Sequence, residues 1–102
     1  MTLRSACVNL EGCVEVVSGV RGTHCADVDS VEVRVRNNCD VPADIELCYA
    51  RRDGTCACGI HRAVAPGALA APAFWACDVT GAFRMSARGV GEPAGCHPHR
   101  CN

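Results

Sequence analysis

The chain has 102 residues, ten basic and eleven acidic groups and a formal net charge of −1, and all ten cations are arginine. Arg34, Arg36, Arg84 and Arg88 are interleaved with acids or lie apart, so no basic stripe marks a nucleic-acid partner; no run of eighteen apolar residues provides a membrane-spanning helix. The length suits one domain over residues 1–102, but the 49 % hydrophobic fraction leans on fifteen Ala and ten Cys, and so dense a cysteine content is the mark of a disulfide scaffold.

In chain order, "MTLRSACVNL" lacks the apolar core of a signal peptide, while the cysteine content asks for an oxidising, extracellular or periplasmic setting. The simplest reconciliation is a mature domain whose leader was replaced by a start methionine. A leaderless protein oxidised after release, or one that keeps its thiols for metal, competes with it. A first strand is expected over Cys13 to Val17, with Val14 and Val16 inward. "SVEVRVRN" from Ser30 to Asn37 alternates Val31, Val33 and Val35 with Glu32, Arg34 and Arg36, the period of a half-buried strand. After "NCDVP", the segment "ADIELCY" puts Ala43, Ile45, Leu47 and Tyr49 on one face and Asp44, Glu46 and Cys48 on the other.

These two strands are expected to pair as an antiparallel hairpin, with Val35 opposite Ile45, Val33 opposite Leu47 and Val31 opposite Tyr49. The outer face would then match Arg36 with Asp44 and Arg34 with Glu46, and hold Cys48 away from the core. Asp53-Gly54 signals a turn that returns the chain alongside this strand. Further strands are expected over Gly59 to Val64, Leu69 to Cys77, and Ala82 to Arg88 with Phe83, Met85 and Ala87 inward. Ala65-Pro66-Gly67 is a type II turn signal, and Asp78 to Gly81 separates the last two strands. Residues 89–102 form a Gly/Pro-rich tail. Six short strands with no helical periodicity predict an all-β fold, a small antiparallel β-sandwich of immunoglobulin-like or jelly-roll-like kind, or a small barrel, stapled by disulfides.

The pattern from Val33, "VRVRNNCDVPADIELCY", followed by a Cys, "APG" and "WACDVTGAFR", resembles small cysteine-rich exported domains of uncharacterised bacterial proteins. The resemblance spans roughly half the chain. It implies an exported β domain and carries over no catalytic residue.

All ten cysteines, Cys7, Cys13, Cys25, Cys39, Cys48, Cys56, Cys58, Cys77, Cys96 and Cys101, are expected in disulfides. Cys56 and Cys58 point to opposite faces of an extended segment and should take different partners. Cys48, beyond the Asp53-Gly54 turn, is expected to join one of them, and Cys39 to reach Cys77. The terminal "CHPHRCN" reads as a staple with solvent-facing histidines, since H-x-H inside C-x₄-C departs from the usual spacing of zinc ligands. The alternative is a zinc or copper site drawn from Cys56, Cys58, Cys96, His97, His99 and Cys101, with the thiols reduced. Arg51 and Arg52 could lower a nearby thiol pKa, but no C-x-x-C opens a helix. His24 and His61 are isolated and read as surface or packing residues. Asp27 and Asp29 supply too few oxygens for calcium. Trp75, the single tryptophan, is expected to pack against a disulfide, the alternative being an exposed binding aromatic.

No serine stands in G-x-S-x-G and no pair of carboxylates suggests acid–base chemistry. No catalytic residue, cofactor or metal is therefore assigned. The expectation is a non-enzymatic, secreted binding or structural module for a protein partner or for self-association, with Cys7 and Cys101 available to join protomers into an oligomer or fibre. A zinc- or copper-binding thiol protein and a thiol redox protein are the alternatives.

Overall fold

The computed structural model describes residues 7–22, 25–26, 28–97 and 100–101. Six strands, β1 (Val14–Gly22), β2 (Ser30–Asn37), β3 (Ala43–Arg51), β4 (Cys56–Val64), β5 (Phe74–Cys77) and β6 (Val79–Gly89), form two three-stranded antiparallel sheets, ordered β1-β2-β5 and β4-β3-β6. The fold is a small β-sandwich stapled by five disulfides.

The alternating strands form where their pattern places them, but they do not pair with each other. β2 is hydrogen-bonded to β1 and β5, and β3 to β4 and β6. The expected β2–β3 hairpin is thus corrected: Val31, Val33 and Val35 meet Ile45, Leu47 and Tyr49 across the core between the sheets. The same alternation serves either geometry, since both demand one apolar face. The crossover is set by Asn37, fully buried, whose side-chain nitrogen donates to the carbonyls of Val41 (2.9 Å) and Val64 (2.8 Å) and whose oxygen accepts from Cys39 N (2.8 Å). Those bonds turn residues 38–42 from one sheet into the other.

The charge matches expected between the two strands are likewise replaced. Arg34 pairs with Glu32 on its own strand (3.2 Å), and Asp44 with Arg62 on β4 (3.1 Å).

The β3–β4 hairpin closes at Asp53-Gly54 as expected, with Gly54 at φ 90° and its N–H bonded to Arg51 O. Gly67 takes φ 80° in the turn after β4, and Ala68 N bonds Ala65 O. β5 is shorter than the expected Leu69–Cys77 segment because Pro72 has no N–H for a ladder; Leu69 makes only an isolated bridge to Arg36. Asp78, at φ 54°, is all that separates β5 from β6. The chain changes sheets at this one residue, and Gly81 lies inside β6 rather than in a linker.

Candidate functional site

Two outer faces leave the sandwich, and they differ. On sheet β1-β2-β5 the outward residues remain in contact with solvent: Arg34 and Trp75 are exposed and Glu32 is half-buried. On sheet β4-β3-β6 the outward side chains of β3 are buried instead, with Asp44 at 0 %, Glu46 at 4 % and Cys48 at 2 % exposure. The alternation of β3 is intact, but both of its faces are covered.

The cover is made by the chain ends. Leu10 N bonds Ala87 O and Gly89 N bonds Val8 O, which lays the N-terminal segment along the free edge of β6. Past β6, Val8 N donates to Glu92 Oε1 (2.8 Å), and the Cys7–Cys96 disulfide ties the two ends together. The C-terminal segment then crosses to β4, where Cys101 is bonded to Cys56. The "CHPHRCN" tail is therefore held by two bridges to separate elements and not by a bridge of its own.

Asp44, Arg88 and Ser86 under this strap each have named bonding partners. Asp44 accepts from Ala63 N (2.8 Å), Arg62 Nη1 (3.1 Å) and Gly91 N (3.1 Å). Arg88 donates through Nε to Cys96 O (2.7 Å) and through Nη1 to Glu11. Ser86 Oγ lies 2.8 Å from His97 Nδ1, with both residues buried. His97 is thus an internal anchor between β6 and the strap, contrary to the solvent-facing role expected of it; His99 lies outside the described residues. A serine–histidine contact has the composition of an acyl-transfer pair, but at 6 % and 2 % exposure this one lies beneath the strap.

A cavity of about 60 Å³ opens beside this cluster, lined among others by Glu46, Cys48, Arg84, Arg88 and Arg100. Cys48 and Cys58 stand directly opposite each other on β3 and β4 and are disulfide-bonded. This is one of the two partners expected for Cys48, and Cys56 takes the distant one. That Cys48 lies off the apolar face is correct; that this keeps it from being buried is not, since the chain ends cover it. A carboxylate oxygen of Glu46 and the two sulfurs of this bridge all lie within 4.8 Å of one another. Because the sulfurs share a covalent bond, they offer no thiolate to a metal in this state.

The remaining bridges, Cys13–Cys39 and Cys25–Cys77, correct the expected Cys39–Cys77 link. Cys39 sits at the crossover beside the start of β1, and Cys77 at the end of β5 facing the loop after β1, so each takes the nearer partner. For the alternative metal set, Cys56, Cys58 and Cys96 belong to three different bridges and Cys101 is the partner of Cys56. Their sulfurs are not gathered at one point.

Trp75 is 48 % exposed, and Phe74 is the buried aromatic, so the expected packing of Trp75 on a disulfide gives way to the exposed alternative. Tyr49 Oη donates to Phe74 O (3.0 Å), and burial pushes the Tyr49 hydroxyl up to about 12. His61 packs its ring edge-on to Phe74 at 4.7 Å, the packing role expected of it. His24 and Asp27 lie outside the described residues. Asp29 is bound by Arg21 and Arg52, which uses its carboxylate in ion pairs. Arg52 also contacts Asp78, and Arg51 donates to Thr55 Oγ1, while among the described residues no cysteine is a free thiol for either to tune.

Sequence reasoning missed Asn37, Ser86 and Glu46. Glu46 carried a usable signal, its shared parity with Cys48 two residues on, but the cover that buries it comes from residues about forty or more positions away in either direction. Comparison with protein-family profiles, curated proteins and solved structures returned no match. Among the described residues no helix is long and apolar enough to cross a membrane.

Proposed function

We propose that this protein is a non-enzymatic, extracytoplasmic binding module that presents the open face of sheet β1-β2-β5 to a protein partner. The observation that carries the reading is the asymmetry of the two faces. One sheet has the outward side chains of its central strand buried beneath covalently tethered chain ends, and the other displays Trp75 at 48 % and Val20 at 55 % exposure, in a row with Glu32 between them. An aromatic next to an ion pair, Glu32 with Arg34, is the composition of an interface hot spot with a polar surround. Five disulfides suit an oxidising compartment and fix this face at small domain size.

Strand edges support a solitary module over a fibre. β1 is bulged at Val17, β4 at Arg62 and Ala63 (φ 52° at Ala63), and β6 between Val79 and Phe83 around Gly81. β5 has four residues. Bulges and short edge strands oppose edge-to-edge pairing. Cys7 and Cys101, the residues expected to link protomers, are paired within the chain.

The test is site-specific photo-crosslinking in the secreting cell's own medium, with the reactive side chain at position 75 and, as control, at Val90, an exposed residue just past β6 of the other sheet. A discrete heterologous product from position 75 alone is expected. Equal labelling from both positions, or none from position 75, overturns the reading, and a ladder of multimers on non-reducing electrophoresis favours assembly.

A further inference from the structure

We infer that Cys48–Cys58 is a thiol–disulfide exchange site, reducible by a dithiol partner without loss of the fold, and distinct in this from the other four bridges. The inference does not depend on the binding role of the open face.

Position sets this bridge apart. Four of the disulfides join separate elements or chain ends across 26 to 89 residues, whereas Cys48–Cys58 spans 10 within one hairpin. β3 and β4 remain paired at Ala43, Ile45, Glu46, Leu47, Tyr49 and Ala50 when it opens, so the sheet does not rely on it. Access is one-sided: Cys58 on the edge strand is exposed, and Cys48 on the central strand is buried. An incoming thiolate therefore reaches the Cys58 sulfur and makes Cys48 the leaving group.

The surroundings suit that direction. Cys48 stands opposite Arg84 on β6 and lines the same cavity as Arg84 and Arg100, whose guanidinium groups favour a thiolate over a neutral thiol. A Glu46 carboxylate oxygen lies within 4.8 Å of both sulfurs, so the bridge stands among polar groups and not in the apolar core.

The balance is a two-electron transfer. The donor thiolate forms a bond to Cys58 Sγ as the Cys48–Cys58 bond breaks, and the electron pair leaves on Cys48 Sγ as a thiolate. The donor's second thiolate then attacks its own sulfur in the mixed disulfide. This closes the donor's disulfide and releases Cys58 as a thiolate. The donor is oxidised by two electrons, and the bridge is reduced by two.

The experiment uses the fully oxidised chain, limiting dithiothreitol, quenching with a maleimide and peptide mapping, with circular dichroism on the same samples. Cys48 and Cys58 are expected to be labelled first, about tenfold faster than any other pair, with the β spectrum retained. Substituting glutathione as the probe should give a mixed disulfide on Cys58 with Cys48 free. First opening at another bridge, loss of all five together, or capture on Cys48 overturns the assignment.

Discussion

β2 and β3 are written in the same alternating code yet live in different surroundings. β2 keeps its outward Arg34 at 54 % side-chain exposure, with Glu32 and Arg36 beside it only half-buried, whereas β3 has Asp44, Glu46 and Cys48 buried under the chain ends. Alternation thus decides which side chains face the core, but not whether the opposite face meets water. In β3 the outward groups are buried polar groups, so each must have bonding partners, and Asp44 has three. In β2 water does that work.

The harshest way to break the contrast is to reduce all five bridges. At about 2–4 kcal/mol each, their sum rivals the about 5–15 kcal/mol of a typical domain. Cooperative unfolding of both sheets is expected, read as a collapse of the calorimetric melting temperature under reductant. A melting temperature that hardly moves would mean that the core suffices. Removing single bridges sharpens the comparison. On the chain-entropy scale, replacing Cys7 and Cys96 by Ser, which opens a span of 89 residues, should cost about 4.5 kcal/mol. The same exchange at Cys48 and Cys58, with a span of 10, should cost about 2.7 kcal/mol, and denaturant titration ranks the two.

Point substitutions probe the faces directly. Asp44→Ala leaves two backbone N–H groups and the Arg62 guanidinium without their carboxylate, and should cost about 3 kcal/mol. Arg34→Ala on the open face should stay within about 0.5 kcal/mol, because its pair with Glu32 is solvent-exposed. Equal costs in urea unfolding would refute the distinction between sealed and open faces.

Two pH effects follow from named groups. Burial raises the Tyr49 hydroxyl from 10.0 to about 12, so the protonated form is favoured by folding. The stability it contributes is fully present below the unfolded value and lost as pH rises through the folded one; the unfolding free energy should fall between about pH 10 and 12, and less so in Tyr49→Phe. The smallest effect is at the β3–β4 turn, where hydrogen bonds from the Thr55 side chain and backbone hold Asp53 below 3.8. That contribution is present above the unfolded value and lost as pH falls through the folded one. In Thr55→Val the Asp53 carboxyl should titrate closer to its ordinary range by NMR, since the largest of its lowering influences, the Thr55 hydroxyl bond, is gone.

Much of the fold is legible in the residues themselves. The Val31-Val33-Val35 and Ile45-Leu47-Tyr49 series, the Asp53-Gly54 and Pro66-Gly67 turns, and the local pairing of Cys48 across its hairpin all rest on contacts between near neighbours in sequence. For these, period and turn chemistry leave few alternatives. The partner of each strand is another matter. A single apolar face satisfies a hairpin and a sandwich equally well, and the choice falls to the buried amide of Asn37 and to Pro72, which shortens β5.

The sequence alone determined the faces of β2 and β3, the turns and the oxidised scaffold, because each is set by local geometry or by composition, whereas Val16 of β1, expected inward, is 39 % exposed beside a bulge. Only the tertiary structure decided the strand order, the four long-range bridges and the seal over β3. Each of these depends on which distant segments meet, and the pairing of residues such as Cys7 with Cys96, 89 positions apart, leaves no trace in the pattern around either one.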